Sequence, residues 1–350
     1  NGSGIVVDGG GFINTTRGIL TTGTPILDAN GGLRGFQVTG GSIAVQGVGL
    51  NASNVDQVDL IARAVQANAA IYGNALNVIT GTNQVDHDTL SASAISSTGA
   101  SPGVSIDVSA LGGMYANRIM LVGTEKGVGV SNAGEIAAQA GDLTLTSAGQ
   151  LVQSGKLNAS GNVGIDVGSV ANSGTIYAKQ STSLRASDIV TNDGTLAAQR
   201  DLSVMASRLT STGTLGAGVN GDGSVGSGGD LSVAASAQLN VSGLGVAGGN
   251  AMFTGGGLNL AGSETSTNGD LTLIASIGDL NLAGATTRAA GQVTAQVAGA
   301  LINDYGTLAG AQGVTLNAAW LSNAAGKIAS QAMLIARTSG QLTNLGGEIV

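Results

Sequence analysis

Apolar and polar residues alternate in short runs along much of the chain. Leu143-Thr144-Leu145, Leu271-Thr272-Leu273 and Val314-Thr315-Leu316 have this two-residue period, which is typical of half-buried β-strands and not of helices. Residues 54–75 also carry apolar positions at helical spacing, but their β-branched residues and flanking asparagines favour strands. The pattern therefore predicts an all-β chain.

A glycine-based unit recurs at a nearly constant spacing. It consists of Gly, one polar residue and then Ile or Leu, and consecutive copies lie 19 to 21 residues apart. A short fixed period indicates a solenoid, in which each repeat buries its apolar side chains by stacking on its neighbours. We therefore expect a parallel β-helix with rungs of about 20 residues. The copies begin at Gly134, Gly155, Gly174, Gly194, Gly213, Gly306, Gly326 and Gly347.

An asparagine stands shortly before most of these glycines, two residues after an apolar one. Copies of one position in successive rungs lie above one another, so their side-chain amides can bond in a column. We predict such a structural asparagine ladder. Its members are Asn132, Asn172, Asn192, Asn303, Asn323 and Asn344.

The repeat is interrupted twice. Between Gly213 and Asp230 it gains about ten Gly-rich residues, which predicts a loop that leaves one rung. Between Leu239 and Gly306 the glycine unit is missing while alternating strand pairs persist. We interpret this stretch as four or five degenerate rungs.

Composition and charge narrow the class of protein. The 350 residues include 60 Gly but only 2% aromatics, and the net charge is −8 with Lys and Arg scattered. A nucleic-acid partner is therefore not expected, and without a run of 18 apolar residues neither is a membrane span. The lack of cysteine is compatible with a reducing compartment or with export through an oxidising periplasm.

Residues 1–130 lack the glycine units and carry more individual motifs. These are Asn1-Gly2-Ser3-Gly4-Ile5, Phe12-Ile13-Asn14-Thr15, Asp59-Leu60-Ile61-Ala62-Arg63, Asn68-Ala69 and the segment that ends at Asn83. The series resembles the secretion domain of filamentous haemagglutinin-like two-partner secretion exoproteins. That family includes adhesins, haemolysins and contact-dependent growth inhibition effectors. The chain departs from the family's Asn-Pro-Asn-Gly-Ile element at its second and third positions.

The resemblance implies a right-handed parallel β-helix that is secreted to the bacterial cell surface through an outer-membrane TpsB (Omp85-type) transporter. Residues 1–130 are then the C-terminal part of the two-partner secretion domain, and residues 131–350 a haemagglutinin-repeat β-helix. The expected function is the stalk of a growth-inhibition toxin or an adhesin, which contacts a receptor on a host or neighbouring bacterial cell.

The same resemblance suggests which residues serve secretion. For Asp59 and Arg63 we consider two interpretations, a local ion pair that fixes a loop and recognition by the transporter. The secretion-motif candidates are Asn1, Gly4, Ile5, Phe12, Asn14, Asp59, Arg63, Asn68 and Asn83.

A β-helical polysaccharide-active enzyme is the alternative, because carbohydrate cleavage uses paired carboxylates. Asp56 with Asp59 and Asp86 with Asp88 are the candidate pairs, and the second pair flanks His87, the single histidine. A lone histidine between two aspartates favours a solvated turn, with a metal site or an acid–base group as the alternative. Trp320 is expected to pack in or against a rung. We therefore predict no catalytic residue, metal or cofactor.

Overall fold

The computed structural model describes residues 3–96 and 99–350, and its described residues form strands, turns and loops without a helix. Residues 54–75 lie in strands apart from bends at Arg63 and at Asn68 and Ala69, which confirms the strand prediction made from the β-branched residues and flanking asparagines. The chain divides into two compact units, residues 1–175 and 176–350. In each unit successive rungs are joined by parallel strand pairs, so the predicted all-β solenoid is confirmed.

The first unit is a parallel solenoid with one antiparallel addition. The long strand β5 bends across two faces of a rung, so that its first half pairs with β1 and its second half with β2. Its strands are β1 (Ile5–Gly11), β2 (Arg17–Thr21), β3 (Thr24–Leu27), β4 (Leu33–Val38), β5 (Ser42–Ala62), β6 (Ala64–Ala67), β7 (Ala70–Thr80), β8 (Asn83–Asp86), β9 (Ala92–Ala94), β10 (Val104–Val108), β11 (Gly113–Gly123), β12 (Gly129–Asn132), β13 (Glu135–Ala138), β14 (Leu143–Gln153), β15 (Lys156–Ala159) and β16 (Val163–Asn172).

The second unit consists of stacked rungs throughout, and equivalent positions in successive rungs lie 20 to 22 residues apart from Leu231 onward. The remaining strands are β17 (Thr175–Ala178), β18 (Thr182–Ala186), β19 (Ile189–Asn192), β20 (Thr195–Ala198), β21 (Leu202–Ala206), β22 (Arg208–Ser211), β23 (Thr214–Ala217), β24 (Leu231–Ala235), β25 (Gln238–Val241), β26 (Leu244–Ala247), β27 (Ala251–Gly255), β28 (Gly257–Asn259), β29 (Glu264–Thr267), β30 (Leu271–Ala275), β31 (Leu280–Asn281), β32 (Thr286–Ala289), β33 (Gln292–Val297), β34 (Ala300–Ile302), β35 (Thr307–Gly310), β36 (Gly313–Ala318), β37 (Trp320–Ser322), β38 (Lys327–Ser330), β39 (Leu334–Thr338), β40 (Leu342–Thr343) and β41 (Glu348–Ile349).

The solenoid continues through the stretch without glycine units. The buried position that Leu215 occupies in β23 is taken in the next rungs by Gly245, Thr265 and Thr287, before leucine returns. The ring of Phe253, which is fully buried, lies 3.1 Å from where a Cβ on Gly245 would stand. The large core side chain of Phe253 thus accompanies the small Gly245 at the position that Leu215 occupies in β23.

The two predictions about interruptions of the repeat have different outcomes. Leu239 is stacked on Leu258, Leu280 and Leu301 in turn. The rungs of Leu239, Leu258 and Leu280 lack the glycine unit, and the rung of Leu301 regains it at Gly306. Three rungs are therefore degenerate, and the prediction of four or five is wrong. The predicted loop is confirmed, because β21 pairs with a strand 29 residues further on and residues 218–230 leave the rung between them.

The ladder asparagines bond from rung to rung. Asn303 Nδ2 donates to Asn323 Oδ1 at 2.7 Å, and Asn323 Nδ2 donates to Asn344 Oδ1 at 2.7 Å. Asn132 instead bonds Gln153 at 2.8 Å, and Asn192 bonds Ser211 at 3.0 Å. The column therefore keeps its position but changes residue type. Asn172 is also buried in its rung.

Trp320 faces outward and is 46% exposed, because the following residue, Leu321, takes the buried position of β37. Of the two predicted placements, packing in a rung is therefore wrong, whereas packing against the outside of a rung agrees with a side chain that is about half exposed.

Candidate functional site

The feature that distinguishes the first unit from a plain solenoid is the four-stranded antiparallel sheet β3-β4-β8-β9, which we call the extension. Alternation along its strands places Phe36, Val38 and Val85 on the face that meets Ile61 and Ile79 of the solenoid. All five side chains are buried. Burial of this apolar area holds the extension on the solenoid.

A buried carboxylate lies beside this apolar contact. Asp59 is fully buried, and it accepts hydrogen bonds from Arg17 Nε at 2.6 Å, Gln57 Nε2 at 2.9 Å and Asn77 Nδ2 at 2.7 Å. A buried charge loses its hydration, and the hydrogen bonds from these partners compensate for that loss. Arg17 Nη2 also donates to the His87 carbonyl oxygen at 2.7 Å. Arg17 thus connects the solenoid with the turn that follows β8.

A second ion pair joins Arg63 and Glu125, whose atoms Nη2 and Oε1 lie 2.8 Å apart. Glu125 also accepts from Ser101 Oγ at 2.8 Å and Thr82 Oγ1 at 3.2 Å. The hydrogen bond from Arg63, more than any other contact, lowers the pKa of Glu125 to about 2. The same contact raises the pKa of Arg63. Both side chains are nearly buried, so removal of either partner would leave an uncompensated charge in the interior.

The predicted ion pair between Asp59 and Arg63 is therefore wrong. Four residues along extended chain span about 13 Å, which keeps the two side chains apart. Each bonds instead to a residue from a distant part of the sequence, 42 positions away for Arg17 and 62 for Glu125. Sequence reasoning missed Arg17 and Glu125 as partners because neither stands at a repeated spacing.

The candidates near the start of the chain occupy turns and the first strands. Gly4 has φ +119°, where a side chain is strained, and Ile5 begins β1 opposite Ile43. The Phe12 ring lies directly on Gly18, which leaves no room for a Cβ there. Asn14 is exposed in the left-handed region at φ 55°. Asn1 lies outside the described residues.

Asn68 and Asn83 differ in exposure. Asn68 is exposed, and its backbone N–H donates to the Val45 carbonyl at 2.8 Å. Asn83 is fully buried, and its Nδ2 donates to the Thr80 carbonyl at 3.0 Å and to Thr124 Oγ1 at 3.1 Å. Asn83 thereby links the first residue of β8 to the solenoid.

The Asp86-His87-Asp88 segment forms a turn. Asp86 Oδ1 accepts from the backbone N–H of Thr89 at 2.8 Å and of Asp88 at 3.0 Å. These bonds, led by the one from Thr89, lower the pKa of Asp86. His87 Nδ1 lies 2.7 Å from Asp88 Oδ1. Among residues 3–96 and 99–350, no three His, Cys, Asp or Glu side chains converge as metal ligands.

No helix long and apolar enough to cross a membrane occurs in the described parts of the chain.

Comparison with known proteins gives two family matches. The TPS secretion domain matches residues 1–153, which contain the whole extension and both ion pairs, and the Haemagglutinin repeat matches residues 158–219. No solved structure is significantly similar to the chain.

Several curated relatives are similar over most of the chain. The tRNA nuclease CdiA-2 of Burkholderia pseudomallei is 52% identical over 317 residues, which are 90% of this chain and 10% of that protein. The Toxin CdiA of Yersinia pestis is 39% identical over 333 residues, 94% of this chain and 10% of that protein. The chain thus spans about a tenth of these relatives' length. Together these similarities show that the chain belongs to the filamentous haemagglutinin-like two-partner secretion exoproteins.

Proposed function

We propose that this chain is the export and stalk segment of an exoprotein that an outer-membrane TpsB (Omp85-type) transporter carries to the cell surface. The observation that supports this most is the TPS secretion domain match over residues 1–153, on a solenoid whose rungs stack on their neighbours. Because rungs contact mainly adjacent rungs, folding can propagate along the chain as it emerges. The protein is then secreted, exposed on the cell surface and associated with the outer membrane.

The proposed division of labour follows the order of the two matches. Residues 1–130 form the C-terminal part of the secretion domain, and residues 131–350 form the start of the stalk. The secretion-domain match ends at residue 153 and the Haemagglutinin repeat match begins at residue 158, which supports this order of parts.

The secretion-motif candidates fall into two proposed roles. Asp59, Arg63 and Asn83 are buried or nearly so, and the two ion pairs join residues far apart in sequence. Such contacts form only when the domain folds, so these residues stabilise the domain after export. Asn14 and Asn68 are exposed, and they belong with Asn1, Gly4, Ile5 and Phe12 to the part that the transporter recognises.

Export assays separate these two roles. Glu125→Gln, which breaks the pair with Arg63, should leave the exported amount unchanged but make the exported chain more sensitive to protease. Asn68→Ala should reduce export while the exported fraction keeps its protease resistance. The opposite pattern would contradict the assignment.

The output that we propose is delivery of a distant toxin to a neighbouring bacterial cell through a receptor on that cell. The relatives' names, tRNA nuclease CdiA-2 and Toxin CdiA, favour this over host adhesion. This segment itself serves without catalysis, metal or cofactor, and its net charge of −8 disfavours a nucleic-acid partner.

A competition between cells that carry the full-length gene and a deletion strain tests the output. Loss of the deletion strain only on contact supports toxin delivery. Equal survival with weaker attachment of the deletion strain would instead identify an adhesin. A polysaccharide-active enzyme would require turnover of acidic polysaccharides that Asp86→Ala abolishes, but Asp86 already bonds its own turn.

A further inference from the structure

We propose that an outer groove of the second unit binds an extended oligosaccharide that carries acetamido groups. The groove has a volume of about 650 Å³ and crosses four rungs, marked by Ser276, Ala298, Ala319 and Ser339. Ligand sites commonly have roughly 300–1,000 Å³. The groove is lined by residues 274–339, none of which belongs to the extension or to either ion pair.

The groove exists because small residues occupy the corner of successive rungs. Strand β33 is followed by Ala298, and β36 ends at Ala318 with Ala319 next. No long side chain crosses the floor at these positions, since each carries only a methyl group. A shallow, open groove over several rungs results, and its long direction follows the stacking of the rungs.

One wall of the groove is a column of outward side chains. Ile274, Gln296 and Asn317 lie in register on consecutive strands, and Arg337 continues the column in the next rung. Neighbouring rungs are about 4.8 Å apart, which is comparable with the length of one pyranose unit in an extended glycan. Each rung can therefore present one side chain to each sugar.

The two amides of this column are available for a ligand. Within the described residues, the side chains of Gln296 and Asn317 make no hydrogen bond, whereas Gln292 on the same strand bonds Thr315 at 3.2 Å. A primary amide both donates and accepts, so it complements the N–H and C=O of an acetamido group. Ile274 adds a half-buried apolar surface for the carbon face of a sugar ring.

The hydroxyl groups of the groove can also accept. Ser276 Oγ donates to the Gly255 carbonyl at 3.1 Å, and Ser339 Oγ donates to the Ala319 carbonyl at 3.3 Å. Each hydroxyl hydrogen is thereby used, and each oxygen keeps lone pairs for a sugar hydroxyl.

The backbone of the groove favours a sugar over a peptide strand. The N–H groups of Ser276, Ala298 and Ala319 donate to carbonyls of the preceding rung, so this surface offers no open ladder for an added strand. Recognition at this surface therefore depends on side-chain amides and hydroxyls.

Saturation-transfer difference NMR with chitohexaose and the 350-residue chain tests the proposal. We expect saturation transfer to the acetamido methyl groups. The double variant Gln296→Ala with Asn317→Ala should weaken binding by roughly tenfold or more. Gln312→Ala, which removes an exposed amide outside the groove, should leave it unchanged. The double variant removes no internal bond, so an unchanged melting temperature is expected.

The single tryptophan supplies a second measurement. Trp320 follows groove residue Ala319 directly. Titration with chitohexaose should therefore change the fluorescence of Trp320, with the same midpoint concentration as a titration followed by saturation transfer. Absence of saturation transfer, or undiminished transfer with the double variant, would overturn the proposal.

Discussion

Glu125→Gln is the substitution whose effect the structure determines most closely. The carboxylate is only 9% exposed and accepts two hydrogen bonds from Arg63, at 2.8 and 3.1 Å. Glutamine keeps the shape of the side chain but removes its charge. The variant therefore leaves the Arg63 guanidinium nearly buried without its counter-charge.

The size of the effect follows from the pKa of Glu125, which falls from 4.5 to about 2 on folding. A difference of this size corresponds to about 3 kcal/mol of stabilisation, because each pKa unit is worth about 1.4 kcal/mol. The folded-state pKa is the lower one, so the stabilisation is fully present above about pH 4.5 and is lost as the pH falls toward 2.

Amide hydrogen exchange at pH 7 measures this locally. Peptides that cover residues 80–85 and 122–127 should exchange roughly a hundredfold faster in Glu125→Gln than in the parent chain. In the parent chain, the protection of these peptides should decline between pH 4.5 and 2. The variant should lack most of that decline.

Glu348→Gln is the matched control. Glu348 lies 2.8 Å from Lys327 as well, but both side chains are about half exposed, and such pairs contribute under about 1 kcal/mol. If Glu125→Gln costs no more protection in its own rung than Glu348→Gln costs in its rung, the reasoning from burial is refuted.

Two further predictions concern the solenoid core. Leu145→Asp places an unpaired charge where the side chain is 1% exposed and should cost more than about 4 kcal/mol, with a clear fall in melting temperature, while Thr144→Asp on the outward face should change little. Asn323→Ala leaves Asn303 Nδ2 without its side-chain acceptor and removes the bond to Asn344, so hydrogen exchange should show a local loss of about 2–3 kcal/mol. An unchanged melting temperature for Leu145→Asp would contradict the register of that strand, and unchanged protection would contradict the role of the asparagine column.

The repetitive part of the fold could be predicted from sequence because its information is periodic. The unit that begins at Gly213 contains Leu215, and the structure stacks Leu215 on Leu196 of the preceding unit. Each copy thus specifies its own place in the stack. The number of degenerate rungs was predicted wrongly, because three successive rungs replace the leucine by Gly245, Thr265 and Thr287. Nothing local in the sequence shows that Phe253 fills the space beside Gly245.

The candidate site was only partly predictable. Motif resemblance selected Asp59 and Arg63, but not their partners Arg17 and Glu125. Arg17 begins β2 and Asp59 lies in the β5 strand that pairs with it, whereas Arg63 follows β5 and Glu125 follows β11. Both pairs thus join separate segments of the solenoid, and no regular spacing in the sequence encodes these contacts. The groove was also missed, because its side chains meet only after four rungs have stacked.

Dependence of export on the partner transporter tests the central claim most directly. The chain, expressed with a cleavable signal sequence, is to be quantified in the culture medium with and without co-expression of a TpsB transporter. The account predicts a protease-resistant fragment outside the cell only when the transporter is present, and none when residues 1–153 are deleted. Equal export without the transporter, or export of the deleted chain, would contradict it.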